Sequence, residues 1–457
     1  MTSPTQMDGQ QGGEPPAGTP AAGGADASGD RPAPTRLTIR QAAFIGVGAM
    51  VGAGIFSLLG AAGEVAGAAV WISFLLAGVI AILNGYSFAK FGARFPSAGG
   101  LLEYIARGFG DGHITGVVAW MVLATNAIVT GMVAVSFGSY ASDAVPWGSS
   151  AWIKIFAALI VVVMTLLNVL GSQAVARVQT VVVTVVIGIL AVFAVVTLVN
   201  MDPHLLAFSG YPSVRDIVSS VALTFFAFLG FGIVSFTAKD LANPSYELPR
   251  AMYLALGIAT VIYVAVSLGV FGTLTVSEVI ASGGTAIAKA AEPTLGTAGY
   301  WLMSVTALFA TSGGTNGGLY PASGLCEQLS SVGQFPPVMG RRLGGRLPSG
   351  LLFTAVVAII LAVGFDLNAI ASIGSAIALL VFALVTVGHL RVRDQTGAHL
   401  SILLIGLAAT VIVLVTFAIT TLVEEPSTLI AIVVVLLVSI GIDVAWKRSR
   451  DARLAIP

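Results

Sequence analysis

Charge is scarce in this sequence: Asp, Glu, Lys and Arg together make up 9% of its 457 residues. A soluble domain carries about 25%, so a water-facing surface of ordinary polarity is excluded. Cysteine is all but absent. Cys326 stands alone, which excludes an internal disulfide framework and reads as a small apolar residue near a helix end. The histidines His113, His204, His389 and His399 are scattered at span ends or loops. No HExxH pair and no Walker loop occurs, so the sequence offers no metal centre and no enzyme chemistry. Basic and acidic residues balance at 21 each, and this bulk charge points to no nucleic acid.

Hydrophobic residues fill the space that charge leaves, at 56% with a mean hydropathy of +0.96. They fall in continuous runs long enough to cross a hydrocarbon core of roughly 30 Å. The alternation of barrel strands is missing, so a β-barrel is excluded. The expected class is an all-α integral membrane protein.

Residues 1–35 hold Gly, Ala, Pro, Ser and Asp with few large apolar side chains. Such a stretch buries too little surface to order itself, and it lacks the apolar core of a cleaved signal peptide. It is expected to be a disordered cytoplasmic tail. Twelve spans follow, at about 40–65, 68–92, 113–142, 151–170, 175–199, 214–237, 250–273, 298–324, 349–364, 367–388, 399–422 and 428–446. They group into repeat one (36–199), repeat two (200–395), two peripheral helices (396–446) and a basic cytoplasmic tail (447–457). With the N-terminus inside, eighteen of the 21 Lys and Arg lie on the inner side, and only Lys154, Arg215 and Lys289 lie outside. Basic residues favour the cytoplasmic face, so both termini are expected there, in the cell membrane.

The first span contains Gly46, Gly48, Gly52 and Gly54. Each glycine costs a helix about 1 kcal/mol relative to alanine. Three readings compete: close helix packing through the Gly48–Gly52 spacing, a dinucleotide-binding loop, and an unwound segment that frees backbone groups in mid-membrane. No strand precedes the glycines, which removes the loop reading. The unwound segment is tolerated only beside a cavity. The sixth span carries Thr224-Phe225-Phe226-Ala227-Phe228-Leu229-Gly230-Phe231-Gly232, a second interruption at the corresponding place. Paired interruptions in two halves are the sequence pointer to a transporter site. Spans 1–5 and 6–10 then form two five-helix halves, the second inverted because five is odd.

Amides freed at Gly52, Ala53, Gly54 and Ile55 would begin a half-helix, whose dipole and orphan donors suit a carboxylate. Carbonyls freed near Ala49 and Met50, and from Phe225 through Phe226 and Ala227 to Phe228, suit an ammonium group. A molecule that carries both groups close together is an amino acid. Neither segment contains an acid or base, and a buried unpaired ion is costly, so the expected cargo is neutral.

Three motifs then resemble one family. Gly52-Ala53-Gly54-Ile55-Phe56 is similar to the first-helix signature of the amino acid–polyamine–organocation (APC) superfamily. So are Ala93-Arg94-Phe95-Pro96-Ser97-Ala98-Gly99-Gly100, with Glu103-Tyr104 behind it, and Lys239-Asp240-Leu241-Ala242-Asn243-Pro244, with Leu248-Pro249-Arg250-Ala251. They lie in family order over roughly residues 36 to 395. The resemblance implies a leucine-transporter-type fold: a 5+5 inverted repeat plus two peripheral helices, helices 1 and 6 broken, working by alternating access. It implies that Ala53, Gly54 and Ile55 hold the substrate carboxylate, and that Ala49 and Met50, with Phe225 and Ala227, accept from the amine. Phe225 or Phe226 would be a lid and Phe231, beside Gly230, a pocket wall; the other reading of these phenylalanines is lipid contact or core packing. Two departures stand out. Gly232 replaces an acidic residue, and Val186 stands where proton-coupled members carry lysine. Thr311 and Ser312, with carbonyls near Gly48 and Val51, would complete a sodium site; helix packing, uncoupled transport and exchange stay open, and the coupling ion is Na+, H+ or none. The lipid bilayer and a small amino acid are the expected partners, with oligomeric state unassigned. Rival cargoes on this scaffold are polyamines and other organic amines, and a channel is the rival class. Asn84, Asn126, Asn168 and Asn316 read either as path-lining residues or as hydrogen-bonding bridges between helices.

Overall fold

Inside lipid a chain must satisfy its own backbone polar groups, so long apolar runs close as helices. In the computed structural model this holds throughout the described residues, 37–96, 100–170, 172–422 and 426–454; at Ala53, Lys239, 172–180, 421–422 and 452–454 the backbone alone is described. The expected tail, 1–35, and Ser97 to Gly99 of the inner-loop motif lie outside these residues.

The order begins with α1 (Ile39–Ala53), α2 (Ile55–Ala66), α3 (Val70–Arg94), α4 (Leu101–Phe109), α5 (His113–Asp143), α6 (Ser150–Leu170) and α7 (Ser172–Val199). It continues with α8 (Val214–Phe226), α9 (Phe231–Val234), α10 (Pro244–Phe271), α11 (Val276–Ser282) and α12 (Ala286–Ser331). The last four are α13 (Ser349–Gly364), α14 (Leu367–Thr396), α15 (Leu400–Phe417) and α16 (Pro426–Leu454). A hairpin of two-residue strands, β1 (Arg342–Leu343) against β2 (Leu347–Pro348), decorates the loop before α13.

Among the described residues nine helices are long and apolar enough to cross a membrane, with Ile39–Gly52 and Ser349–Gly364 as shorter apolar helices. Three of the expected spans fall outside those nine for physical reasons. Gly54 divides the first and shortens its α1 half, the span at 349–364 is short, and polar Thr311 to Gly318 dilutes the one within α12. α12 also begins twelve residues before the expected span and bends at Gly296, whose φ is +66°.

Burial sorts the helices into an inner and an outer set. The most apolar stretch of α14 is 78% buried and that of α5 67%, against 22% for α6, 33% for α7, 28% for α15 and 17% for α16. In the inner set α3 packs along α10, while α1 is held among α7, α9, α10 and α12. Each α1 glycine meets a different neighbour. A Cβ on Gly46 would lie 2.4 Å from a Val234 methyl, on Gly48 2.5 Å from a Val183 methyl, and on Gly52 2.5 Å from the Ala310 carbonyl. Close packing on several sides therefore accounts for these three, and only Gly54 falls where the helix stops.

Two of the motif segments meet one another. The Leu37 amide donates to the Asp240 carbonyl at 2.8 Å, tying the start of α1 to the segment after α9. Gly100 has φ +51°, and a Cβ there would lie 2.8 Å from both the Phe236 ring and Ser235 Oγ. Tyr104 stacks on Phe91 at 4.8 Å, and burial pushes its phenol far above the ordinary range, leaving it a neutral hydroxyl.

Candidate substrate site

α1 ends at Ala53 and α2 begins at Ile55, because Gly54 (φ −100°, ψ −84°) departs from helical geometry between them. The Ser57 and Leu58 amides return to the Gly54 carbonyl at 3.1 and 3.0 Å. The amides of the first residues of a helix have no partner within it, so backbone donors are left over at the Gly54–Phe56 end. Opposite, α8 gives way after Phe226 to tight turns. The Ala227, Phe228 and Leu229 amides donate to the carbonyls three residues back, at 2.9 to 3.2 Å. The Phe225 carbonyl thus takes the Phe228 amide, and the Phe226 carbonyl takes the Leu229 amide. The Ala227 carbonyl accepts the Tyr263 hydroxyl at 3.1 Å.

These two segments touch directly. A Cβ on Gly230 would lie 2.5 Å from the Met50 amide nitrogen and 2.6 Å from the Ala49 carbonyl carbon. One on Gly54 would lie 2.6 Å from both Ala227 Cβ and the Tyr263 hydroxyl. Ala49, Met50, Gly52, Gly54, Ile55, Phe225, Phe226, Ala227, Phe228 and Phe231 are buried and Gly230 is half-buried; of Ala53 only the backbone is described. None of the four phenylalanines faces lipid. Phe225 and Phe231 join Phe382, at 5.6 and 5.2 Å between ring centres, with Phe88 beside Phe231 at 5.2 Å. Phe228 packs edge-on against Tyr263 at 5.1 Å, and Phe226 fills the space over Gly374 on α14.

The sodium candidates divide. Thr311 and Ser312 donate their hydroxyl hydrogens to the Ala307 and Leu308 carbonyls, each at 2.6 Å. Gly48, Val51 and Ser312 line a cavity of about 410 Å³ that also touches α6 and α7, with Val186 in its wall; Thr311 is buried outside that lining. Asn168 and Asn316, separate candidates in the sequence, form one bridge, Nδ2 to Oδ1 at 2.6 Å. Asn84 likewise spans helices, donating to Thr410 at 2.9 Å.

Sequence reasoning missed two buried polar groups. His389 was expected at a span end, yet α14 continues past it, and the ring is fully buried between Ser87 and Thr396, each at 2.8 Å. Thr396 gives its hydrogen to the Arg393 carbonyl, so Nε2 donates to it and Nδ1 accepts from Ser87. Lys447, read as the first residue of a basic cytoplasmic tail, is buried beside Asp443 on α16. The only signal for either was an ionisable residue at helical spacing from an apolar face.

Comparison with known proteins agrees with this architecture. Residues 37–442 match the family described as amino acid permease. The inner membrane transport protein YbaT of Escherichia coli is 32% identical over 89% of this chain and 95% of its own length. An uncharacterized protein of Methanocaldococcus jannaschii is 30% identical over 81% of this chain and 85% of its own. The branched-chain amino acid permease BcaP of Bacillus subtilis is 27% identical over 52% and 55%. A permease profile over nearly the whole membrane region assigns a transporter and not an enzyme, and the chain belongs to the amino acid permease family of the APC superfamily.

Proposed function

We propose that this chain carries neutral, chiefly apolar amino acids across the cell membrane by alternating access. The observation that carries the reading is the meeting of the α2 N-terminus at Gly54 with the tight turns at Ala227–Gly230, inside an apolar bundle. The substrate carboxylate rests on the amides of Ala53, Gly54 and Ile55, and its ammonium on the carbonyls of Ala49, Met50, Phe225 and Ala227. Two of those carbonyls already serve Phe228 and Tyr263, so the ammonium shares them through their second lone pairs. No countercharge lies in either segment, which supports a neutral side chain. The printed specificity of BcaP, a branched-chain amino acid permease, supports an apolar one.

On this reading the twelve helices form an inverted 5+5 repeat, with α15 and α16 peripheral and both termini cytoplasmic. α1–α2 and α8–α9 are its two broken members. For coupling we carry exchange or uniport, since Val186 offers no proton switch. Sodium held by the Gly48 and Val51 carbonyls with the Thr311 and Ser312 hydroxyls is the second arrangement, supported by the cavity that Gly48, Val51 and Ser312 share, though Thr311 lies outside it. Polyamines fit less well, because they leave the Ala53–Ile55 amides without an anion.

A panel of ligands screened by thermal unfolding, with and without sodium and across pH, reads substrate and coupling together. A ligand at 100 times its Kd adds about 2.7 kcal/mol of stability. Leucine, isoleucine, valine or another neutral amino acid is expected to stabilise the protein without sodium, and arginine, glutamate and putrescine are expected not to. Stabilisation by charged amino acids alone sinks the neutral assignment; a strict sodium requirement replaces uniport with the sodium arrangement.

A further inference from the structure

We propose that the cavity among α1, α6, α7 and α12 is a binding site for a phospholipid acyl chain, entered sideways from the bilayer. Its wall comes from Gly48 and Gly52 on α1, Met164 and Leu167 on α6, Val182 on α7 and Phe309 on α12. Nearly all of this lining is apolar. The two side-chain polar groups in it are engaged within the protein: Ser312 donates to the Leu308 carbonyl at 2.6 Å, and Asn316 accepts from Asn168 at 2.6 Å. Water fills a cavity when polar groups there need partners, whereas apolar cavities stay dry or take apolar guests. At about 410 Å³ the space exceeds the roughly 150 Å³ that admits a benzene-sized guest.

The occupant follows from where the cavity lies. α6 and α7 belong to the outer helices, and Leu166, Val181, Val185 and Phe309 expose large apolar side chains on the same flank. In a membrane that flank is covered by hydrocarbon, so the apolar molecule at its mouth is an acyl chain. The chain would sit against the Gly48–Gly52 face of α1, immediately before the break at Gly54. α7 already touches that face, since a Cβ on Gly48 would lie 2.5 Å from a Val183 methyl. A ligand shifts a two-state equilibrium only through different affinities for the two states. On the proposed alternating-access function α1 moves during transport, so the cavity changes shape and its occupant biases the cycle.

The test uses the full chain in nanodiscs that contain a phosphatidylethanolamine with a diazirine at mid-chain. After irradiation, peptide mapping is expected to place labels on buried cavity residues such as Val186 and Ala310. Val182→Trp and, independently, Leu167→Trp should lower that labelling by about ten-fold or more. Val192→Trp, on the exposed face of α7, should leave it unchanged. Labels spread over α15 and α16 with none in the cavity overturn the proposal, as does cavity labelling that both filling variants leave intact. Should neither filling variant fold, the wild-type map alone decides. Labelling needs no transport, so failed amino acid uptake with intact cavity labelling counts against the proposed function and not against this site.

Discussion

Replacing Gly230 by leucine is expected to abolish amino acid uptake while leaving membrane insertion intact, and alanine to reduce uptake by about tenfold or more. The reason is backbone against backbone. A Cβ at this position would sit 2.5 Å from the Met50 amide nitrogen and 2.6 Å from the Ala49 carbonyl carbon, and neither atom can swing aside as a side-chain end would. Overpacking a tight site costs about 1–3 kcal/mol, and here it pushes apart the two segments assigned to the ammonium. Gly232 supplies the control. It lies two residues on, and a Cβ there meets nothing within 4 Å, so Gly232→Ala should keep most of the uptake. Equal loss in both variants would mean that the segment is sensitive to any change and that the Gly230 contact is not the cause.

The second large effect concerns stability. Asp443 is fully buried on α16, with Lys447 Nζ 3.0 Å from Oδ1 and His113 Nδ1 2.6 Å from Oδ2. The Lys447 contact is an ion pair by distance without hydrogen-bond geometry, and the lysine donates instead to the Gly112 carbonyl at 2.7 Å. Gly116 makes room, since a Cβ there would lie 1.8 Å from Asp443 Oδ1. Asp443→Asn leaves a buried ammonium without its countercharge, at a cost of about 3–5 kcal/mol. Replacing both partners, as Asp443→Asn with Lys447→Met, should recover much of that loss, because a well-packed apolar pair can equal a buried ion pair. Unfolding titrations in mixed micelles measure both. A loss below about 0.5 kcal/mol for Asp443→Asn, the scale of a surface change, would contradict this account.

The legible part of the molecule is the part lipid dictates. A helix in hydrocarbon must be long and apolar, so hydropathy alone located the nine such helices among the described residues. Glycine was legible as a disturbance and ambiguous in kind. Gly46, Gly48 and Gly52 turn out to admit Val234, Val183 and Ala310 while α1 stays helical, and the departure falls on Gly54 alone. The sequence cannot separate the two uses, because a glycine that admits a neighbour and one that interrupts a helix have the same composition. The sixth span shows the complementary problem: its Ala227–Gly230 turns keep i+3 hydrogen bonds, a local tightening that leaves no mark in residue identity. His389 and Asp443 were unreadable for another reason. Each pairs one polar atom with a residue far away in the chain, Ser87 for the histidine and His113 for the aspartate, and only the folded packing of α3 on α14 and α5 on α16 brings them together.

The central claim is that the Gly54 end of α2 binds a carboxylate while carbonyls of α1 and α8 bind an ammonium. It is tested most directly by competition in proteoliposomes, with labelled leucine taken up against unlabelled leucine, leucinamide, N-acetylleucine and putrescine. A hydrogen bond to a charged group contributes about 1.5–3 kcal/mol, so losing either charge should weaken competition by at least about tenfold. Leucine is expected to compete, and the other three to fall away by that factor. Leucinamide or putrescine competing as well as leucine would contradict it, because the amides at Ala53, Gly54 and Ile55 would then hold no carboxylate.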